Sequence, residues 1–173
     1  SAKDMEELIE ALLVLARESD NGLSMEKVCV NDIVKEELDF ARELFKHKNI
    51  AVDIHESNQL TVNASDKVLS VLIGNLVRNA FSYTEDGRVD IYIENDKLII
   101  EDSGVGIPDE EMEKVFKPFF RHEGKQLGGH GVGLTIVKFL SERFKWPITI
   151  ESKLNIGTKV TVTFPGAEED TTA

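Results

Sequence analysis

A long apolar helix is the sequence feature that most constrains how this chain can fold. Between residues 66 and 83, apolar side chains recur at helical spacing, and Ser65 or Asp66 is placed to cap the first turn. A turn at Asp86-Gly87 follows, and then two alternating segments, residues 89–94 and 98–102, read as a hairpin. The apolar positions of the helix are Val68, Leu69, Leu72, Ile73, Leu76 and Val77. Such a helix is expected to pack on the sheet that the hairpin begins.

The remainder of the chain interleaves helices with short strands. Asn31 is predicted to cap a helix that runs to about residue 48. A further helix is expected for residues 135–144, after an irregular stretch from 103 to 129. Further strands are predicted for residues 25–30, 50–56, 60–62, 148–151 and 158–164. This order predicts an α/β (α+β) fold, a two-layer sandwich in which one mixed sheet carries helices on one face. The acidic tail, residues 166–173, is predicted to be disordered.

Composition excludes several classes of protein. The net charge of −12 makes nucleic acid an improbable main ligand, because phosphate backbones are repelled. No apolar segment is long enough to span a membrane, and no signal peptide is recognisable at the start. A single cysteine, Cys29, rules out an internal disulfide. An anionic ligand would therefore need a local device that overcomes the negative surface.

Asp102 and the glycines after it could form one part of such a binding site. The aspartate ends a predicted strand and is followed by Gly104 and Gly106. A carboxylate fixed at a strand end can accept a hydrogen bond from an exocyclic amine, and glycines let a flat ring approach the backbone. An ordinary turn has the same composition, so this motif does not decide between the two interpretations.

A glycine-rich segment and two asparagines supply the other candidates. Residues 128–133 (Gly-Gly-His-Gly-Val-Gly) run into a helix that begins near Leu134, where successive N–H groups could bind phosphate; a turn or hinge is the alternative. The segment has neither the spacing of a Walker loop nor that of a Rossmann motif. Asn75 and Asn79 share one face of the apolar helix, where amide oxygens could ligate a hard cation; a solvated helix edge would also explain them.

Five motifs in fixed order make the pattern specific. Asn-x-x-x-Asn (75–79), Asp-x-Gly-x-Gly (102–106), Phe-Lys-Pro-Phe-Phe-Arg (116–121), Gly-His-Gly-Val-Gly-Leu (129–134) and Gly157-Thr158 together resemble the catalytic ATP-binding domain of bacterial sensor histidine kinases. The resemblance covers residues from about 25 to 165. It implies a Bergerat-type (GHKL) fold that binds ATP with Mg²⁺, in agreement with the sandwich predicted above.

The resemblance implies a role for each matching residue. Asn79 would ligate Mg²⁺ and Asn75 would lie beside the phosphates, while Asp102 would bind the adenine amine. Arg121 would reach the phosphates and offset charge during transfer, so that Asn75 and Arg121 are the candidate catalytic residues. Phe116, Phe119 and Phe120 would anchor a lid over the nucleotide. The remaining ATP-binding candidates are Tyr83, Gly104, Gly106, Ile107, Val115, Phe120, Gly129, His130, Gly131, Val132, Gly133, Leu134 and Thr158.

One position distinguishes this chain from related ATPases, and another distinguishes it from many of the kinases it resembles. Gyrase-, mismatch-repair- and chaperone-type ATPases place a glutamate four residues before the metal-binding asparagine; Asn75 stands there and cannot act as a base, which favours phosphoryl transfer over hydrolysis. The kinases often carry a basic residue three positions after that asparagine, where this chain has Ser82. Nucleotide affinity is therefore expected to be lower unless Lys125 or Arg78 compensates.

The resemblance also implies the partners of the reaction. The γ-phosphoryl group would pass to a histidine upstream of this chain, for relay to a response regulator receiver domain, because none of His47, His55, His122 and His130 has the context of an acceptor. Regulatory nucleotide binding without transfer, or a serine kinase of the anti-sigma-factor type, are the alternatives.

The interpretation of residues 3–18 bears on the choice between a histidine kinase and these alternatives. Met5, Leu8, Leu12 and Leu15 follow an a/d pattern, which fits either a helix that covers its own domain or the end of a dimerisation stem. The resemblance favours the stem, and with it a homodimer and a cytoplasmic domain of an inner-membrane protein. The resulting organisation is a stem (1–22), a catalytic domain (23–165) and a tail (166–173).

Overall fold

The computed structural model describes residues 25–115 and 133–171, together with Ile9 and Leu13. The three described helices are α1 (Val30–Leu44), α2 (Asp66–Ser82) and α3 (Gly133–Phe144), and a 3₁₀ turn occupies Asp109–Lys114. The strands are β1 (Glu26–Cys29), β2 (Asn49–Glu56), β3 (Asn58–Ala64), β4 (Asp86–Glu94), β5 (Lys97–Asp102), β6 (Ile148–Lys153), β7 (Gly157–Thr163) and β8 (Glu168–Thr171).

The main sheet has five strands in the order β2-β4-β5-β7-β6. Strands β2 and β4 are parallel, and the other three pairs are antiparallel. Alternate residues of β4, namely Val89, Ile91 and Ile93, are completely buried, which is the pattern of a sheet with one covered face. The predicted two-layer α/β sandwich with a mixed sheet is therefore confirmed.

Helix α2 lies at the centre of the core, as its apolar sequence predicts. It contacts both α1 and α3, and Leu69, Leu72 and Val77 have no exposed surface. Ser65 caps its first turn and accepts a hydrogen bond from the Val68 N–H. Because the helix is fixed on several sides, polar groups on its remaining face hold defined positions.

A second, smaller sheet was not predicted. Strands β1, β3 and β8 pair antiparallel in that order, and β8 is made from the acidic tail. The predicted disorder of the tail is wrong for residues 168–171: their main chain completes the edge of β3, and Lys27 forms a 3.1 Å ion pair with Glu168. Main-chain pairing needs no apolar side chain, so hydropathy does not reveal such a strand.

The predicted cap at Asn31 is also wrong. Helix α1 begins at Val30, after Cys29, and Asn31 lies buried in the first turn. Its amide donates to Glu56 Oε1 (2.8 Å) and to the Asn58 carbonyl (3.0 Å), and its oxygen accepts from the Leu60 N–H (2.9 Å). The side chain therefore joins α1 to the β2–β3 connection instead of closing its own helix.

Two boundaries differ from the sequence prediction. Helix α1 ends at Leu44 and not near residue 48. The predicted turn at Asp86-Gly87 is the start of β4, because those residues pair with Asn49 and Ile50 of β2.

The predicted helix at residues 3–18 lies outside the described residues except for Ile9 and Leu13, which are helical and half exposed. Most of the glycine-rich segment and the predicted lid lie outside them as well. Within the described part of the chain, no helix combines the length and the hydropathy needed to cross a membrane.

Candidate nucleotide-binding site

An open cleft of about 480 Å³ lies between α2 and the main sheet. Four of its lining residues, Asn79, Tyr83, Asp102 and Thr158, carry hydrogen-bonding side chains set among apolar ones. The complete lining is Leu76, Asn79, Ala80, Tyr83, Ile100, Asp102, Gly106, Ile107, Leu134, Ile150, Thr158 and Val160. Apolar walls with a few polar groups are typical of sites that bind a small molecule or a cofactor.

Asp102 is the buried acid of this cleft. It ends β5 with 9% of its surface exposed, and its Oδ1 accepts a 2.9 Å hydrogen bond from the Gly104 N–H. Burial raises the pKa of this carboxyl to about 6, although hydrogen bonds from the main chain of Gly104 and Thr158 oppose the shift. About nine-tenths of the carboxyl is ionised at pH 7, so it can accept a hydrogen bond from an amine in the cleft.

Main-chain hydrogen bonds hold the loop after Asp102. The Val105 N–H donates to the Tyr83 carbonyl at the end of α2 (3.0 Å), and the Asn155 N–H donates to the Val105 carbonyl (2.6 Å). The Ile107 N–H donates to Ser152 Oγ (2.8 Å). The loop is therefore fixed between α2 and the β6–β7 turn, and it forms a preformed rim for the cleft.

The two glycines of this loop are required by close packing of main chains. A Cβ on Gly104 would lie 2.1 Å from the Tyr83 carbonyl oxygen. A Cβ on Gly106 would lie 1.9 Å from the Lys153 carbonyl oxygen, and Gly106 also has a φ of +70°. The sequence indicated that these glycines make room for a ligand ring. In the structure they also allow the loop to pack directly against the Tyr83 and Lys153 carbonyls.

Ser152 is a site residue that the motifs did not indicate. Its hydroxyl lies 2.7 Å from Thr158 Oγ1 and 3.0 Å from the Gly157 carbonyl, in addition to the bond from Ile107. It thereby fixes the Thr158 side chain across β6 and β7. Only the pairing of these two strands could have revealed it, because Ser152 belongs to no motif.

The apolar residues that line the cleft could be inferred from the periodicity of the helix and the strands. Leu76 and Ala80 lie on the same face of α2 as Asn79, at helical spacing. Ile100 and Val160 lie two residues from Asp102 and Thr158 and so share their face of the sheet. Alternation would have found these residues once Asp102 had been accepted as a site residue.

Asn79 and Asn75 differ in their environments. Asn79 lines the cleft, whereas Asn75 is 4% exposed, lies outside the lining, and donates from Nδ2 to the Val71 carbonyl at 2.7 Å. Asn75 therefore lies one turn behind the visible cleft, with its amide nitrogen engaged by its own helix.

The structure brings together seven of the predicted site residues: Asn79, Tyr83, Asp102, Gly106, Ile107, Leu134 and Thr158. Gly104 packs directly behind Tyr83, Gly133 begins α3, and Val115 is buried beyond the 3₁₀ turn, outside the lining. Eight others lie outside the described residues: Phe116, Phe119, Phe120, Arg121, Gly129, His130, Gly131 and Val132. The individual roles given to these residues remain predictions.

Arg78, one of the two residues that could compensate for the missing basic residue at position 82, forms an ion pair with helix α1. Its guanidinium lies 3.8 Å from the Glu37 carboxylate of α1, on another face of α2 from Asn79. Ser82 itself is 3% exposed. Lys125, the other candidate, lies outside the described residues.

Fold and cleft together define a nucleotide-binding α/β sandwich. The family profile of "Histidine kinase-, DNA gyrase B-, and HSP90-like ATPase" matches residues 64–168, more than half of the chain. The chain belongs to this family. Its predicted resemblance to the catalytic ATP-binding domains of sensor histidine kinases is likewise confirmed.

Individual relatives agree with this assignment. Sensor histidine kinase RppB of Synechocystis is 28% identical over 93% of this chain, which spans 38% of RppB. The solved catalytic domain of histidine kinase ThkA is 27% identical, with a TM-score of 0.69 over 83% of this chain and 96% of that domain. Full-length ShkA in complex with AMPPNP shares the fold, with a TM-score of 0.75, 23% identity, and coverage of 99% of this chain and 37% of ShkA.

Proposed function

We propose that this chain is the ATP-binding kinase domain of a two-component sensor histidine kinase and supplies the γ-phosphoryl group for a histidine on another segment. The observation that carries the proposal is Asp102, a buried and largely ionised acceptor at the floor of an apolar cleft. Adenine offers an exocyclic amine to such an acceptor, whereas guanine presents a carbonyl at the same ring position. The cleft therefore favours ATP over GTP.

Asn79 is the residue that fits a metal ion in this site. Among the described residues, no group of three or more His, Cys, Asp or Glu side chains could hold a metal. Mg²⁺ does not need such a group, because it is commonly held by one or two protein oxygens together with substrate phosphates. The Asn79 amide oxygen would share the ion with the nucleotide, and the bound Mg²⁺ would neutralise charge on the phosphates.

The chemistry of position 75 favours transfer over hydrolysis. Activation of a water molecule requires a base, and a carboxamide cannot accept the proton. Asn75 also has its amide nitrogen committed to the Val71 carbonyl. In the proposed reaction a histidine nitrogen attacks the γ-phosphorus, the bond from that phosphorus to the β–γ bridging oxygen breaks, and ADP leaves.

The acceptor is proposed to lie outside this chain. His55 is exposed on the open face of the sheet, where its ring stacks on Tyr92 (4.5 Å between centroids) and its Nε2 lies 3.0 Å from Asp90 Oδ1. The cleft opens on the opposite, helix-covered face, so His55 cannot reach the γ-phosphate. We further propose that the complete protein dimerises through the stem helix, lies on the cytoplasmic side of an inner membrane, and passes the phosphoryl group to a response regulator.

Two measurements test the proposal. Calorimetry with Mg²⁺ and a non-hydrolysable ATP analogue should give saturable binding, which Asn79→Ala should abolish without unfolding the domain. Addition of γ-labelled ATP should leave the chain alone unlabelled, and a histidine-containing helical hairpin from the same kinase should acquire acid-labile phosphate. Stable labelling of the isolated chain would contradict the proposal, and nucleotide binding without any transfer to the hairpin would favour a regulatory module.

A further inference from the structure

Lys48 is a buried cation that no sequence motif includes. It lies between α1 and β2, and its side chain is only 5% exposed. The ammonium donates to three main-chain carbonyls at the end of α2, those of Phe81 (3.0 Å), Ser82 (3.0 Å) and Thr84 (3.1 Å). The Glu85 carboxylate lies 3.2 Å away. All three ammonium hydrogens are therefore used on one short segment of main chain.

This arrangement replaces an ordinary helix cap. Tyr83, the C-cap residue of helix α2, has a φ of −90° and is not a left-handed glycine, and the last turn of the helix contains no basic residue. The last carbonyls of a helix lack intrahelical partners and carry partial negative charge, so a cation is favourable there. Lys48 supplies that cation from a different part of the chain, and the Phe45 ring 5.2 Å from its Nζ helps to enclose it.

The segment that Lys48 holds is one support of the nucleotide cleft. The remaining carbonyl of this segment, that of Tyr83, accepts the hydrogen bond from the Val105 N–H. Gly104 packs against the same carbonyl, and the Gly104 N–H bonds to Asp102. A continuous path of contacts therefore runs from Lys48 through Tyr83 and the loop to the Asp102 carboxylate.

We propose that Lys48 is a positioning residue for the base-binding half of the cleft. By fixing the carbonyls on both sides of Tyr83, it orients the Tyr83 carbonyl toward the loop and keeps Asp102 in place to receive adenine. The inference rests on the proposed nucleotide binding. Lys48 is proposed to make no contact with the phosphates. Its replacement should therefore weaken the affinities for adenosine, ADP and ATP by the same factor.

The test compares Lys48→Met with Lys46→Met. Lys46 is close in sequence, but its side chain is 73% exposed and bonds only to Glu43 among the described residues, so it is a matched surface control. Dissociation constants for adenosine and for the ATP analogue are measured at low temperature, where circular dichroism shows each variant to be folded. Exchange of the Val105 amide hydrogen is followed by nuclear magnetic resonance, because that hydrogen is donated to Tyr83.

Lys48→Met is expected to weaken both ligands about tenfold, the equivalent of one lost hydrogen bond, and to accelerate exchange at Val105. Lys48→Arg, which keeps the charge and the donors, should recover part of the affinity, and Lys46→Met should match the wild type. If Lys48→Met does not fold, Lys48→Gln, which keeps two N–H donors without the charge, replaces it in the same comparison.

Unchanged affinity in a folded variant with lower stability would show that Lys48 serves the fold alone. A loss confined to the triphosphate would overturn the proposed path through Tyr83. Failure of the wild type to bind any nucleotide would instead refute the proposed function, so the two failures are distinguishable.

Discussion

Replacement of Asp102 by asparagine is expected to stabilise the unliganded domain at neutral pH. The two side chains have the same shape, so the substitution removes the charge and leaves the packing in place. Because burial raises the pKa of Asp102 from 3.8 to about 6, the folded state disfavours the ionised carboxyl. The residue that would bind adenine should therefore lower the stability of the fold in the absence of a ligand.

The size of the effect follows from the two pKa values. A folded-state pKa above the unfolded value means that the unfolded chain gives up its proton first, so stability falls as the pH rises through the interval between them. The shift from 3.8 to about 6 corresponds to about 3 kcal/mol at pH 7, about 1.5 kcal/mol at pH 5 and about 0.5 kcal/mol at pH 4. The amide cannot accept every main-chain hydrogen bond that the carboxylate accepts, which subtracts a pH-independent amount of about 1 kcal/mol.

The assay is urea unfolding of the wild type and Asp102→Asn at pH values from about 4 to 7. Trp146, the single tryptophan, is 7% exposed and packs against Phe144 and Phe164, so its fluorescence reports global unfolding. The difference in unfolding free energy between the two proteins should change by about 2.5 kcal/mol over this range, with the variant favoured at high pH. Glu94→Gln removes one exposed negative charge from the neighbouring strand β4 and serves as the control. Parallel pH profiles for the wild type and Asp102→Asn would refute the claim that burial perturbs this carboxyl.

Three further predictions follow from the same contacts. The affinity for ATP relative to purine riboside triphosphate, which lacks the 6-amino group, should fall about tenfold between pH 7 and pH 5 as Asp102 becomes protonated, and competition titrations would measure it; a constant ratio would remove Asp102 from the base site. Gly106→Ala should lower the unfolding free energy by at least about 2 kcal/mol and weaken nucleotide binding, because the new Cβ meets the Lys153 carbonyl at a positive φ; normal urea midpoints would contradict this. Asn31→Ala should lower stability by about 3 kcal/mol through its three lost hydrogen bonds without changing nucleotide affinity in the folded protein, as urea unfolding and calorimetry would show, and a loss below 1 kcal/mol would argue against the network around Asn31.

The sequence predicted those elements whose apolar pattern is imposed by one covered face. Helix α2, the β4–β5 hairpin and the β6–β7 hairpin all belong to this class, and their side chains pack as the spacing indicated. Strand β8 was missed because its stability comes from main-chain pairing with β3, to which its acidic side chains contribute little. The function of Asn31 was mistaken because its partners lie 25 to 29 residues away, and a local capping rule cannot detect contacts at that distance.

The candidate site was predictable to a similar degree. Asp102 and Thr158 belong to motifs, and the structure pairs them across β5 and β7. Ser152 and Lys48 belong to none: Ser152 bonds to the Thr158 hydroxyl and the Gly157 carbonyl, and Lys48 bonds to main-chain carbonyls on both sides of Tyr83. Residues that support a site in this way are recognised by geometry, because their own sequence context carries no chemical signature.

The base-binding half of the cleft is fixed by main-chain bonds that tie the end of α2, the loop after Asp102 and the β6–β7 turn into one frame. On the side proposed to bind the phosphates, Asn79 lines the cleft and Asn75 lies one turn behind it, while most of the other predicted phosphate contacts lie outside the described residues. If Asp102 receives adenine as proposed, this preformed frame can select the base without any rearrangement of the loop after Asp102. In the proposed kinase, selectivity for adenine is then set at Asp102, at the end of the nucleotide where no bond changes.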